Sequence, residues 1–373
     1  MGAPGTSSGG TRGTRTVLRI SDDGRSIPLN SPQSNITIAL DAMGGDFAPS
    51  HEVRGALDAL REYPGRFSIL LVGQEQRLQK ELDALAAKGI DAPRGALSIR
   101  NAPDVITMDD GPTAALKSKK LSSLAVGLQA HRDGDVNAFV SAGNTGAVLS
   151  ASTIILGRVE GIARPTIGAM IPTVGRPCFL VDAGANVDCK PRHLYEFGIM
   201  GSIFISSIAG VTNPRVGLLN VGEEEGKGNE VVLEAHRLLK ESRLNFAGNV
   251  EGRDILRGEL DVVVCDGFVG NILLKFGESI PGFFKKKFTA FAALSVKNTI
   301  IAAVARNGLR GVMKELDYQE HGGVPLLGVN GISIIGHGSS TPKAIKNMIL
   351  RAEEMAQKDI NGQIRKALDQ SHA

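Results

Sequence analysis

The sequence predicts an α/β protein built on a mainly parallel β-sheet. From Asn35 onward, short apolar runs alternate with amphipathic stretches of helical period. The apolar runs have the length of buried strands, and the stretches between them are long enough for crossover helices. Most runs end in small, polar, Gly-rich loops, and ligands of parallel sheets bind beyond the carboxyl ends of strands.

Taken in order, the strands are expected over 36–41, 67–72, 136–141, 166–171, 178–182, 215–221, 261–265 and 332–335. Helices are expected over 50–63, 75–88, 113–132, 191–210, 228–241 and 342–357. No repeat at a fixed period is visible. The organisation expected is a leader over 1–34, a single catalytic-type domain over 35–358 and a C-terminal tail over 359–373. The leader is rich in Gly, Ser, Thr and Arg without an apolar stretch, so a disordered tail is expected rather than a secretory signal.

The 373 residues suit one large α/β unit, and 42% hydrophobic residues supply a sizeable core. A net charge of +3 excludes a protein that wraps nucleic acid over its whole surface. Cys178, Cys189 and Cys265 form no CxxC pair and are odd in number, which points to a reducing compartment such as the cytoplasm. No run reaches the ~18 apolar residues of a membrane span.

Familiar nucleotide motifs fail. No GxGxxG follows the first strand, and Gly222–Gly228 is one residue short of a P-loop, with Gly228 where Ser or Thr should stand. No HExxH or EF-hand pattern is present, so no metal site is expected.

The polar loops are more informative. In 182–191, Asp182 ends a buried strand and Pro191 opens a helix, with Lys190 just before it. A helix N-terminus beside a lysine favours a small dianion. The plainer alternative is that Asp188 caps the helix and Lys190 is solvated. Gly336–Pro342 is a second helix entry, with three hydroxyls where a cap needs one, and it carries His337, Ser339 and Ser340. His337 is either a general acid or structural. Ser141, Asn144 and Thr145 form a third such loop.

The segment 280–314 holds seven basic residues and no Asp or Glu, and six of the thirteen Phe lie between 268 and 291. Phe284, Phe288 and Phe291 recur at helical spacing beside Lys285, Lys286 and Lys287. This reads as a helical segment near 280–320. It either packs as a core or dimer helix, or meets an acidic partner or an anionic membrane.

Taken together, the blocks Asp41-Ala-Met-Gly-Gly-Asp46, Ser141–Ala147, Asp182–Pro191, Gly217–Glu224 with Lys227–Glu230, Asn249–Asp254 and His337–Ser340 resemble the acyl-carrier-protein:phosphate acyltransferase family of phospholipid synthesis. The similarity spans about 35 to 358, and Glu223-Glu224-Glu225-Gly226 departs from the family pattern. The resemblance implies a three-layer α/β/α sandwich like that of phosphotransacetylases and isocitrate-type dehydrogenases. It implies transfer of an acyl group from acyl carrier protein to inorganic phosphate, with no metal or nicotinamide. The acyl donor itself carries phosphopantetheine. It further implies a homodimer in the cytoplasm that touches the membrane peripherally.

Lys190, Asp182, Asn144 and His337 are the catalytic candidates on this reading. Ser141, Thr145, Asn186, Asn229, Asp266, Asn271, Ser339 and Ser340 are the substrate- and phosphate-binding candidates. Phe284, Lys285, Lys286, Lys287 and Phe288 are candidates for contact with membrane or carrier protein. The competing functions are a short-chain phosphotransacetylase using coenzyme A, a dehydrogenase of the isocitrate type, for which the metal-binding carboxylates are not evident, and a membrane-recruited scaffold without turnover.

Overall fold

The structure is a computed structural model that describes residues 18–20, 26–28, 36–315 and 322–371. The expected leader lies outside the described residues except for β1 (Leu18–Ile20) and β2 (Ser26–Pro28), which pair antiparallel. The remaining strands are β3 (Thr37–Asp41), β4 (Ser68–Gly73), β5 (Leu97–Asn101), β6 (Ala138–Ser141), β7 (Thr166–Ile171), β8 (Cys178–Val181), β9 (Arg215–Leu219), β10 (Asn245–Val250), β11 (Val262–Val264), β12 (Val324–Leu327) and β13 (Ser333–Ile335). The helices are α1 (Ser50–Glu62), α2 (Glu75–Ala86), α3 (Pro112–Ser118), α4 (Ser123–Arg132), α5 (Thr145–Ile155), α6 (Pro191–Ala209), α7 (Glu230–Lys240), α8 (Gly267–Ala293), α9 (Val296–Glu315), α10 (Pro342–Gln357) and α11 (Ile360–Ser371).

One sheet orders its strands β10-β9-β11-β8-β7-β12-β13-β6-β3-β4-β5. Strand alternation sends successive side chains to opposite faces. Ile38 and Leu40 of β3 pack with Val53 and Leu57 of α1 and with Ile345 and Met348 of α10. Ala39 turns to the other face, with Leu124 and Leu128 of α4 and Ala147 of α5. The first layer also takes in α6, α7 and α11, and the sandwich expected from the resemblance is the architecture observed. Each buried Leu, Ile or Phe contributes about 1.5–3 kcal/mol.

The sheet is not parallel throughout. β8, β11, β9 and β10 run parallel to one another, as do β13, β6, β3, β4 and β5. Between these halves, β7 and β12 make three successive antiparallel pairings. An odd number of reversals leaves the halves running in opposite directions. The polar loops expected to converge on one site therefore divide between two edges. Those after β3, β6 and β13 lie at one, and those after β8, β9 and β11 at the other.

Several elements differ from expectation. The helix expected over 113–132 breaks into α3 and α4, because the Ser122 hydroxyl accepts from Ala125 N at 3.3 Å and starts a new helix. The stretch expected as a tail from 359 carries α11, whose Ile360, Ile364 and Leu368 are buried in the core. The helical segment near 280 is the outer part of α8, which begins thirteen residues earlier at Gly267, together with α9. The side chains of Arg310 and Lys314 fall outside the described residues.

Two glycines set the closest approaches. A Cβ on Gly168 of β7 would sit 1.9 Å from the Phe179 ring, and one on Gly270 of α8 would sit 1.8 Å from the Asp182 carbonyl oxygen. The start of α8 thus lies flush against the end of β8.

Candidate active site

A cleft of about 530 Å³ lies over β7 and β12, between α5 and α8. Its walls are apolar, with Leu149, Ile167, Ala169, Leu274, Val324 and Ile335 prominent among them. Its polar lining is Asp46, Thr145, Asn271, Lys275, Glu278 and His337, interleaved with Gly143, Gly146, Gly184, Gly336 and Gly338. Apolar volume with a few convergent polar groups is the usual form of a small-molecule site.

The loops that close one end are locked together by Asp41. Its buried carboxylate accepts from the Ser141 hydroxyl at 2.7 Å and from Met43 N at 3.2 Å. Burial raises its pKa, while bonds from Ser123, Ser141, Met43 and Gly44 oppose that rise. Ser141 also accepts from Gly143 N at 3.1 Å. Ser141 is therefore a buried support of the loop. Asn144 caps α5, accepting from Ala147 N, and donates to the carbonyls of Met108 and Asp110. Thr145, the next residue, reaches the cleft.

His337 lines the cleft from the adjoining loop, whose Gly338 carbonyl accepts from Asp46 N at 2.8 Å. Ser339 donates its backbone N–H to His337 Nδ1 at 3.2 Å, and the Ser339 hydroxyl lies 2.7 Å from the same nitrogen. An accepting Nδ1 places the ring proton on Nε2. Ser340 is buried, and its carbonyl oxygen lies 2.9 Å from His51 Nδ1. Neither serine lines the cleft.

The other end is organised by Asp182, which is fully buried. Its two oxygens accept from the backbone N–H groups of Ile167, Gly184, Ala185 and Asn186 and from Asn186 Nδ2. Burial pushes its pKa up, and these bonds hold it down. Asp182 is thereby committed to shaping the 183–186 loop, in which Gly184 takes a φ of 134° that a side chain would disfavour. Asn186 is buried and also donates to the Pro165 carbonyl. Asn271 lines the cleft and packs against Gly184, with its Cβ 3.3 Å from where a Gly184 Cβ would stand.

The remaining candidates lie elsewhere. Asn229 and Asp266 line a second cleft of about 440 Å³ beyond β9 and β11, and each caps a helix, α7 and α8 respectively. Lys190 stands exposed at the start of α6, beside that second cleft, and lines neither. No carboxylate among the described residues is within ion-pair reach of it.

Three features in or just behind the cleft escaped the sequence reading. Lys275 and Glu278 fall on α8 in a Gly-rich stretch that carries no clear helical period. Glu52, in the first turn of α1, is buried, with Oε2 lacking any hydrogen-bond partner. Burial, together with the charges of Asp41 and Asp46, pushes its pKa up to about 8. Its other oxygen would meet a Cβ on Gly45 at 2.6 Å, so it sits directly behind the 43–46 loop.

Outside the cleft, α8, α9 and the turn between them expose Phe276, Phe283, Phe284, Leu294, Val296 and Val304. Lys285, Lys286 and Lys287 are exposed beside them, and Lys287 Nζ lies 5.7 Å from the Phe283 ring centre. Phe288 is half-buried and stacks on Phe291.

Comparison with known proteins gives concordant results. A family model described as "Fatty acid synthesis protein" matches residues 36–363. A protein of Pelotomaculum thermopropionicum named phosphate acyltransferase is 48% identical over 332 residues, 89% of this chain and 95% of that one. One of the same name from Chlorobaculum parvum is 47% identical over 338 residues, 88% of this chain and 98% of that one. Among solved structures, a phosphotransacetylase from Streptococcus pyogenes superposes with a TM-score of 0.58 at 16% identity, covering 87% of this chain and 94% of that one. The last is a likeness of fold.

Proposed function

Since the chain belongs to the phosphate acyltransferase family, we propose that it transfers a fatty acyl group from the thioester of acyl carrier protein to inorganic phosphate, giving an acyl phosphate. The observation that carries this reading is a cleft that combines apolar walls with polar, Gly-rich loops in its lining. An acyl chain fits the first and a phosphate the second. The two relatives named phosphate acyltransferase, at 47–48% identity, favour this over a coenzyme A-dependent short-chain enzyme.

The chemistry asks little of a base, because hydrogen phosphate is largely dianionic near neutral pH. One phosphate oxygen attacks the thioester carbonyl, a C–O bond forms and the C–S bond breaks. The phosphate proton ends on the departing thiolate, whose ordinary pKa is near ~8.5. The protein's contribution is to hold the reactants together and stabilise the tetrahedral oxyanion. Backbone N–H groups of the 143–146 and 336–338 loops and the Thr145 hydroxyl suit the anionic oxygens. His337, with its proton on Nε2, suits the departing sulfur. Asp182, Asn144, Asn186 and Ser141 shape the loops that present these groups. Lys190 is an anion-attracting group at the neighbouring loops.

The α8–α9 arm supports peripheral contact with an anionic membrane. Exposed Phe and Leu side chains insert, and lysines add about 1 kcal/mol each near such a surface. No helix among the described residues is long and apolar enough to cross a membrane. Changing Lys285, Lys286 and Lys287 together to Glu is expected to abolish cosedimentation with anionic vesicles. If instead the triple variant loses the dimer mass in size exclusion, the arm pairs subunits.

Purified protein supplied with long-chain acyl carrier protein and phosphate should yield a product that hydroxylamine traps as a hydroxamate. Equal hydroxamate without phosphate would sink the reading.

A further inference from the structure

We propose that Lys275 is the cation that binds the phosphate substrate in the cleft. The inference rests on the acyl-transfer reading and assigns a substrate contact to a residue outside every sequence motif.

The first ground is charge. The described residues lining the cleft include two carboxylates, Asp46 and Glu278, and one lysine, Lys275, with no arginine. Without Lys275 the carboxylates Asp46 and Glu278 would be the charged side chains the lining presents to a dianion, apart from His337, with loop dipoles opposing them. With Lys275 present, a positive group stands where the lining is otherwise repulsive.

The second ground is availability. Lys275 is exposed, and no described carboxylate lies within 4 Å of its ammonium, although Glu278 follows it by three residues on the same helix. Lysines on helices commonly pair at this spacing. Elsewhere in the chain Lys240, Lys346 and Lys358 do find carboxylates, at 2.6–2.9 Å. Lys275 thus keeps its charge for something else.

The third ground is placement. Lys275 follows Asn271 by one helical turn, on the same side of α8. Asn271 is fixed against Gly184, and Gly270 lies flush against Asp182, so this part of α8 has one available position. Thr145, Gly146, His337 and Gly338 line the same cleft from other elements. A lysine on a pinned helix and loops of backbone N–H groups, lining one cleft, would together form a two-sided clamp. The lysine neutralises the phosphate, and the loops orient it. Lys190, which also lacks a carboxylate partner, lines neither cleft and does not provide this.

The test is Lys275→Met, which keeps the apolar stem and removes the charge, beside Lys275→Arg, which keeps the charge. The position is exposed, so both variants should match the parent in thermal melting. The Met variant should raise the KM for inorganic phosphate at least ~10-fold, while the KM for acyl carrier protein stays within about twofold. The Arg variant should recover part of the phosphate affinity. Inorganic phosphate should also broaden the ³¹P resonance with parent protein and not with the Met variant, a readout that needs no turnover. An unchanged phosphate KM, or an equal loss for both substrates, would overturn the proposal. If the parent itself shows no phosphate-dependent hydroxamate, the acyl-transfer reading fails, and the ³¹P comparison still decides whether Lys275 binds phosphate.

Discussion

Ser141 donates its hydroxyl to Asp41 Oδ2 at 2.7 Å, joining two strand ends that lie 100 residues apart in sequence. Both groups are buried, so this bond decides how the 41–46 and 141–146 loops meet.

Ser141→Ala leaves a buried carboxylate short of one donor. The unmet group costs about 1–3 kcal/mol. Thermal melting should fall accordingly, and acyl phosphate formation should drop with it. A variant with parental stability and rate would show that the bond is incidental.

Glu52 makes stability depend on pH. Folded, it keeps its proton to about pH 8, whereas its ordinary value is 4.5. Between those values the unfolded chain binds fewer protons, so this group's contribution to stability falls as pH rises from about 4.5 to about 8 and is level above that. Glu52→Gln removes the dependence. The unfolding free energy of the variant should gain on the parent's by an amount that grows from pH 5 to 8, on the order of 1 kcal/mol per pH unit. A gap that is constant with pH would refute the buried acid.

Asp182→Asn preserves size and loses acceptors. The new amide would face the N–H groups that now bond to the carboxylate. A loss on the order of 3 kcal/mol or more is expected. Amide hydrogen exchange should quicken at Gly184, Ala185 and Asn186 before it does elsewhere. Uniform exchange across the domain would argue against a local role.

Arg66 makes two hydrogen bonds to Glu353, whose side chain is fully buried, with Nη2 2.6 Å from Oε2. Arg66→Ala strands that carboxylate, although Gln357 still donates to it. Arg66 is 46% exposed, so solvent screening trims the cost to about 1–3 kcal/mol. Replacing Arg66 and Glu353 together by Met and Leu should restore much of it. No recovery in the double variant would mean that packing, not the pair, is what Arg66 supplies.

The fold was legible where the residues alternate cleanly or carry a strong helical period. The strand expectations over 36–41, 67–72 and 166–171 agree with β3, β4 and β7 to within a residue or two. β10 was missed because Gly248 and two asparagines give Asn245–Val250 the look of a loop. β12 was missed because Pro325 interrupts a four-residue run, and β5 because it is a half-exposed edge. The small and β-branched residues of α5 hide its period. The site was legible in its loops, and Thr145, Asn271 and His337 do meet in one cleft. The roles of Asp182, Ser141 and Asn144 were not. Spacing shows that a polar residue ends a strand, but only the packed chain shows whether it faces the cleft or the loop's own amides. The reversal of the sheet at β7 and β12 left no local trace, and it is what divides the polar loops between two edges.

The flush contact of Gly270 with Asp182 also bears on mutational tolerance along α8. Any side chain at 270 would have to displace the backbone that shapes the 183–186 loop, so a saturation library should return glycine alone there. Seven and twelve residues further on, Gly277 and Gly282 leave open space, with nothing within 4 Å of where a Cβ would stand, and alanine at either should stabilise the helix by about 0.5–1 kcal/mol. One helix thus holds both the least and the most replaceable glycines of its neighbourhood, and only the contact, not the residue type, tells them apart.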